Sequence, residues 1–141
     1  MISVDMLPEA HQIEDIILSH GMRGMDRIRG AVPADYCARA AKLILENKGR
    51  VLIGTGFPVG GSFETDGPIG AIALYRVLEG LEYEPIFGCA PPISQVLAGD
   101  FRTLEVPILS WEATVPVVKS ALADIEPLAL IYEATFRKLL T

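Results

Sequence analysis

Basic residues are in short supply in this chain. Its 12 Lys and Arg stand against 18 Asp and Glu, a net charge of −6 over 141 residues. A general nucleic-acid binder needs a basic face to displace counterions, so that class is excluded. A partner of anionic lipid surfaces is disfavoured on the same ground. Long hydrophobic runs are missing too: Gly, Pro or charge interrupts each apolar stretch well short of the ~20 residues that cross a bilayer. The opening MISVDMLPEAH has neither a basic stretch nor an apolar core, so no signal peptide is expected and the reading is cytoplasmic. Cysteine is scarce. Cys37 and Cys89 lie far apart, outside any CxxC, and read as free buried thiols in a reducing compartment.

What the chain does hold is apolar. Half of its residues are hydrophobic and the mean hydropathy is +0.37, which excludes disorder. The length fits a single domain over residues 1–141. Small domains have much surface relative to core. Apolar surface is therefore expected to remain for another copy of the chain, or for a segment outside it.

The periodicity alternates between helix and strand. Pro8–Ser19 reads as a helix with Ile13, Ile16 and Ile17 on one face. Ala34–Asn47 reads as a second, with Ala38, Ala41, Leu43, Ile44 and Leu45 packing and Arg39, Lys42 and Glu46 outward. Arg50–Thr55 is a buried strand, followed by a long turn over 56–67 and a helix over Pro68–Leu81. Then come a strand at Glu84–Cys89, a short helix at Ile93–Leu97 and a strand at Leu104–Leu109. Ser110 caps a helix running to about Asp124, aided by Glu112 in its first turn. Leu128–Tyr132 is a fourth strand and Glu133–Leu140 a last short helix. Short apolar strands separated by helices predict a three-layer α/β/α domain, Rossmann-like, with a four-stranded parallel sheet in the order 3-2-1-4. Ligands in such sheets bind beyond the carboxyl ends of the strands, where the order reverses. That point lies between the first and fourth strands.

The glycine-rich turn begins there. Residues 54–70 read GTGFPVGGSFETDGPIG, with six glycines in seventeen positions. Such density suits backbone at positive φ or a ligand pressed against the chain. The dinucleotide fingerprint does not fit: after Gly54-Thr55-Gly56 the next glycine, Gly60, comes one residue too late. The second strand ends Phe87-Gly88-Cys89-Ala90, without the acid that would read a ribose. A phosphate-binding P-loop needs a lysine, and none lies between Lys48 and Lys119. The turn instead offers Ser62, Glu64, Thr65 and Asp66 ahead of a helix N-terminus, whose free N–H groups and positive dipole end suit an anion. Asp66 or Thr65 serves equally well as a helix cap. Glu64 precedes the cap and has less structural reason to be there. Either acid can move protons. Mg²⁺ or Mn²⁺ would also accept the oxygens of Glu64 and Asp66, but two acids are too few ligands to define a site. Glu133 reaches the same rim if the fourth strand lies beside the first, and otherwise serves as a first-turn acid of the last helix.

Thr55-Gly56-Phe57, then Glu64-Thr65-Asp66-Gly67-Pro68, then Gly70-Ala71, resemble the D-glutamate cyclase-like C-terminal domain family. The resemblance extends over residues 9–133, with Arg23-Gly24-Met25 similar to the family's opening. It implies reversible dehydration of D-glutamate to 5-oxo-D-proline, a carbon–oxygen lyase reaction. Family members are longer, so it also implies that this chain is the N-terminal half of the full domain. Glu133 matches the family's glutamate after the fourth strand, while the arginine and glycine that should follow are absent.

Two functions follow from these residues. One is a D-glutamate cyclase-like lyase, with Glu64 and Asp66 catalytic and Thr55, Gly56, Thr65, Gly67 and Glu133 binding the substrate. The other is a non-catalytic half-domain that binds a small acid or phosphate. Both take a small anionic metabolite as partner. His11 and His20 read as solvated, with no metal-ligand spacing. Arg23, Arg27 and Arg29 read as a solvated basic face or a carboxylate clamp.

Overall fold

The first helix forms at Leu7–Ser19 (α1) in the computed structural model of the chain, which describes residues 7–19, 25–28, 30–63, 65–127 and 129–132. Two compact units result, Met1–Asn47 and Lys48–Thr141. In the first unit α1 packs against Met25–Ile28 (α2) and Tyr36–Glu46 (α3). Its buried positions are Ala10, Glu14 and Leu18, at i, i+4 and i+8. Ile13, Ile16 and Ile17 share another face of the helix, as expected, and that face is exposed. They lie about 60–160° around the helix from the centre of the buried stripe. Small Ala10 and a hydrogen-bonding Glu14 decide the packed side, not the largest apolar side chains. Glu14 Oε1 accepts the backbone N–H of Cys37 at 2.8 Å. It thereby satisfies a first-turn donor of α3 that Asp35, at the N-cap in a left-handed conformation, leaves without a side-chain cap. On α3, Leu43 is exposed rather than packed, while Ala38, Ala41, Ile44 and Leu45 are half-buried.

In the second unit the apolar run Arg50–Gly54 forms β1, and Glu84–Cys89, Thr103–Glu105 and Ala129–Tyr132 form β4, β5 and β6. These four strands pair in the order β5–β4–β1–β6, every neighbouring pair parallel. Parallel neighbours need a crossover, and Asp66–Gly80 (α4) joins β1 to β4 while Ile93–Leu97 (α5) joins β4 to β5. Trp111–Ile125 (α6) lies between β5 and β6. Val51, Ile53, Ile86 and Phe87 of the two central strands are almost wholly buried, as is Leu78 of α4. Full burial of each such side chain contributes about 1.5–3 kcal/mol. Tyr75 of α4 stacks against Phe87 and Phe101 with ring centroids 4.7 and 5.0 Å away. Its hydroxyl accepts the Arg102 N–H at 3.2 Å. At the amino edge Arg50 pairs with Glu84 at 3.1 Å and donates to the Ile125 carbonyl at 2.8 Å, tying the end of α6 to β1. No helix among the described residues is long and apolar enough to cross a membrane.

Two expectations change. The strand drawn over Leu104–Leu109 is confined to Thr103–Glu105. Val106 N–H makes one further bond to the Cys89 carbonyl at 2.8 Å. Pro107 then has no N–H to offer, and Ile108 and Leu109 are exposed. The long turn also contains a hairpin, Pro58–Val59 (β2) against Ser62–Phe63 (β3), antiparallel. Gly60 and Gly61 close it with φ of 55° and 80°. Positive φ at both central residues is what a two-residue type I′ connection requires. The helix expected over Glu133–Leu140 lies outside the described residues.

Candidate functional site

The carboxyl edge of β1 carries the residues singled out from the sequence. Thr55 follows β1 directly, and its N–H donates to the Gly88 carbonyl at 3.3 Å, extending the ladder by one bond. The residue is 3% exposed, and its hydroxyl is buried with no hydrogen-bond partner among the described residues. A buried polar atom left unpaired costs about 1–3 kcal/mol. Such a group beside a sheet edge calls for an explanation.

Gly56 comes next, at φ +70°, and a Cβ there would lie 2.4 Å from Ile93 Cγ2. Backbone conformation and space both demand glycine at this position. Ile93 opens α5, so the close approach holds the start of that helix against the end of β1. The hairpin then carries the chain to α4. A helix crossing between parallel strands runs antiparallel to them, so α4 opens at this same edge. Thr65 occupies its N-cap position but makes no side-chain cap bond, which corrects its reading as a cap. Asp66 is the first helical residue, and Gly67 and Pro68 follow in the first turn. Thr55, Gly56, Thr65, Asp66 and Gly67 therefore belong to one edge by topology. Glu64 and Glu133, and the Asp66 side chain, lie outside the described residues, as do Arg23 and Arg29. Arg27 is exposed.

Neighbouring strand ends add Ser94 and Glu105, which sequence reasoning passed over, beside Cys89. Ser94 of α5 is 1% exposed and its hydroxyl donates to Glu105 Oε2 at 2.5 Å. Cys89 ends β4 as a buried free thiol, pushed up to about 11 by burial and then by the Glu105 charge. Both causes disfavour the thiolate, the form in which a cysteine acts as a nucleophile. Cys37, also free, is half-buried rather than buried. Glu105 gave no signal in the sequence, because the strand drawn over Leu104–Leu109 puts it at the start, whereas it ends β5.

A family model described as D-glutamate cyclase-like, C-terminal, matches residues 13–129. No curated protein and no solved structure matches the chain.

Proposed function

Because the chain belongs to the D-glutamate cyclase-like, C-terminal family, we propose that it acts as a lyase of that kind, interconverting D-glutamate and 5-oxo-D-proline plus water. The amine nitrogen bonds to the γ-carboxyl carbon, a carbon–oxygen bond breaks, and the oxygen leaves as water. The reaction needs the amine deprotonated, the γ-carboxyl polarised and a proton delivered to the departing oxygen. In this reading N–H groups at the start of α4 hold a substrate carboxylate and stabilise its developing charge. Glu64 and Asp66 move the protons, Gly56 and Gly67 let the ligand approach backbone, and Thr65 and Glu133 line the walls. The α/β frame that carries the site is, in the same reading, a Rossmann-like three-layer domain.

One observation supports the reading most: the Thr55 hydroxyl, buried and without a partner among the described residues, at the carboxyl edge of β1. A substrate carboxylate gives it the acceptor it lacks. A second reading, a small-acid-binding half-domain without turnover, draws on the exposed apolar residues Ile69, Val77, Ile108 and Trp111. Those side chains suit a further layer of protein, either another copy or a second half.

The test uses the full chain, assayed for hydration of 5-oxo-D-proline and for a thermal shift with D-glutamate. Conversion together with a shift is expected. Thr55→Val should abolish the shift while the melting temperature without ligand holds or rises, since the unpaired hydroxyl is gone. Glu64→Gln should lose turnover with little change in melting. A shift without conversion selects the binding reading, and neither signal overturns both.

A further inference from the structure

We propose that His11, Glu14 and Asp35 form a binding site for a divalent first-row transition ion, of which Zn²⁺ and Mn²⁺ are the test cases. The site lies within the helical unit Met1–Asn47 and does not depend on the proposed lyase reading. His11 and Glu14 are three residues apart on α1, so they share a face of that helix. Asp35 arrives from the turn that opens α3. One ligand atom from each, an imidazole nitrogen and two carboxylate oxygens, all lie within 4.8 Å of one another. Ligands bound to a shared ion at about 2.0–2.2 Å sit roughly 2.8–3.6 Å apart in tetrahedral or octahedral geometry. Rotation of the partly exposed His11 and Asp35 side chains closes that difference. One nitrogen with two oxygens is a donor set for borderline divalent ions rather than for Ca²⁺, and it leaves further positions to water.

Glu14 supplies an independent observation. It is a carboxylate on the packed face of α1, only 8% exposed. A buried charge is costly unless it is paired. Its Oε1 takes the Cys37 N–H, which fixes the orientation of the carboxylate in the way ligating carboxylates are commonly held. No positive charge accompanies it: among the described residues no lysine or arginine forms an ion pair with Glu14 or Asp35. Among the described residues the partner of Asp35 is His11, whose Nε2 hydrogen-bonds Asp35 Oδ1 and carries charge only when protonated. A divalent ion supplies the missing charge to both carboxylates at once. Its arrival displaces the proton shared by His11 and Asp35, since the ring nitrogen must be unprotonated to ligate. The exposed edge of His11 leaves a path from solvent.

The test is calorimetric titration of the chelator-treated full chain with ZnCl₂ and with MnCl₂. One saturable site per chain is expected for at least one of the two, with a rise in melting temperature on binding. His11→Ala and Asp35→Asn should each weaken that site about tenfold or more and remove the thermal shift. Both variants should keep the wild-type circular dichroism, because His11 is exposed and asparagine accepts the left-handed backbone at position 35. The Co²⁺-loaded chain should show no thiolate charge-transfer band. Absence of a saturable site for both ions up to about 1 mM, a weak affinity by any standard, overturns the proposal. So does wild-type affinity in the double variant, or a thiolate band, either of which puts the ion elsewhere.

Discussion

Gly56 is under two constraints, and they can be measured separately. Its φ of +70° disfavours any side chain, and the space a Cβ would occupy is filled by Ile93. Gly56→Ala should therefore destabilise the chain by more than the ~1 kcal/mol of a simple left-handed penalty. Adding Ile93→Ala should recover only the steric share, leaving the backbone penalty, as a double-mutant cycle of denaturant melts would show. Cys89 gives a pH prediction. Its thiol is raised in the folded chain from the ordinary 9.0 to about 11. The folded state thus holds this proton more tightly than the unfolded state does. The associated stability is present below pH 9 and is lost as pH climbs from 9 toward 11. Alkylation of the native chain at pH 8 should accordingly modify Cys37 far faster than Cys89, with peptide mass spectrometry as the readout.

At the level of elements, α6 has the clearest cap. Ser110 Oγ accepts the Ala113 N–H at 3.4 Å, and the Glu112 carboxyl is lowered by its own backbone N–H and then by the Ser110 hydroxyl. Ser110→Ala should cost about 0.5–2 kcal/mol and move the Glu112 titration, followed by NMR, up toward the ordinary carboxylate range. The sign follows from the direction of the shift. A lowered carboxyl supports the fold above its unfolded value and loses that support as pH falls through the folded one. This cap was legible beforehand because Ser, an acid two residues on and an apolar-periodic run stand in line. β1, β4 and α5 were legible for a similar reason: each is a short apolar run bounded by Gly, Pro or charge. Misreadings arose where tertiary contacts decide. The isoleucines of α1 share a face, yet the side that packs is the one where Glu14 accepts the Cys37 N–H. The hairpin at Gly60-Gly61 has arms of two residues each, too short for alternation to register. As for the site, the glycine-rich edge was legible through its composition. The unpartnered Thr55 hydroxyl was not, because burial of one atom has no sequence signature. His11 and Asp35 meet only across a helix pair, so their spacing along the chain conceals them.

On the scale of the whole molecule, apolar surface is spread over separate elements. Ile69 and Val77 stand two turns apart on α4, and Val96 of α5 is exposed as well. Exposed apolar side chains that line up on one element suit a surface that another protein covers. Light scattering at micromolar concentration should give a mass above that of one chain, and the pair Ile69→Lys with Val77→Lys should return it to the monomer value. A monomeric wild-type mass would show that these side chains stay in water. The position of β1 has a kinetic side. One of its edges pairs with β4 after a single crossover, but the other must wait for β6, nearly the whole unit later in the chain. During synthesis the central strand consequently spends most of its time half-zipped, with a row of peptide groups open to any passing strand. Contacts of such long range also slow closure. The step that completes the sheet is thus the last to become possible, and the interval before it is when a nascent chain most needs a chaperone.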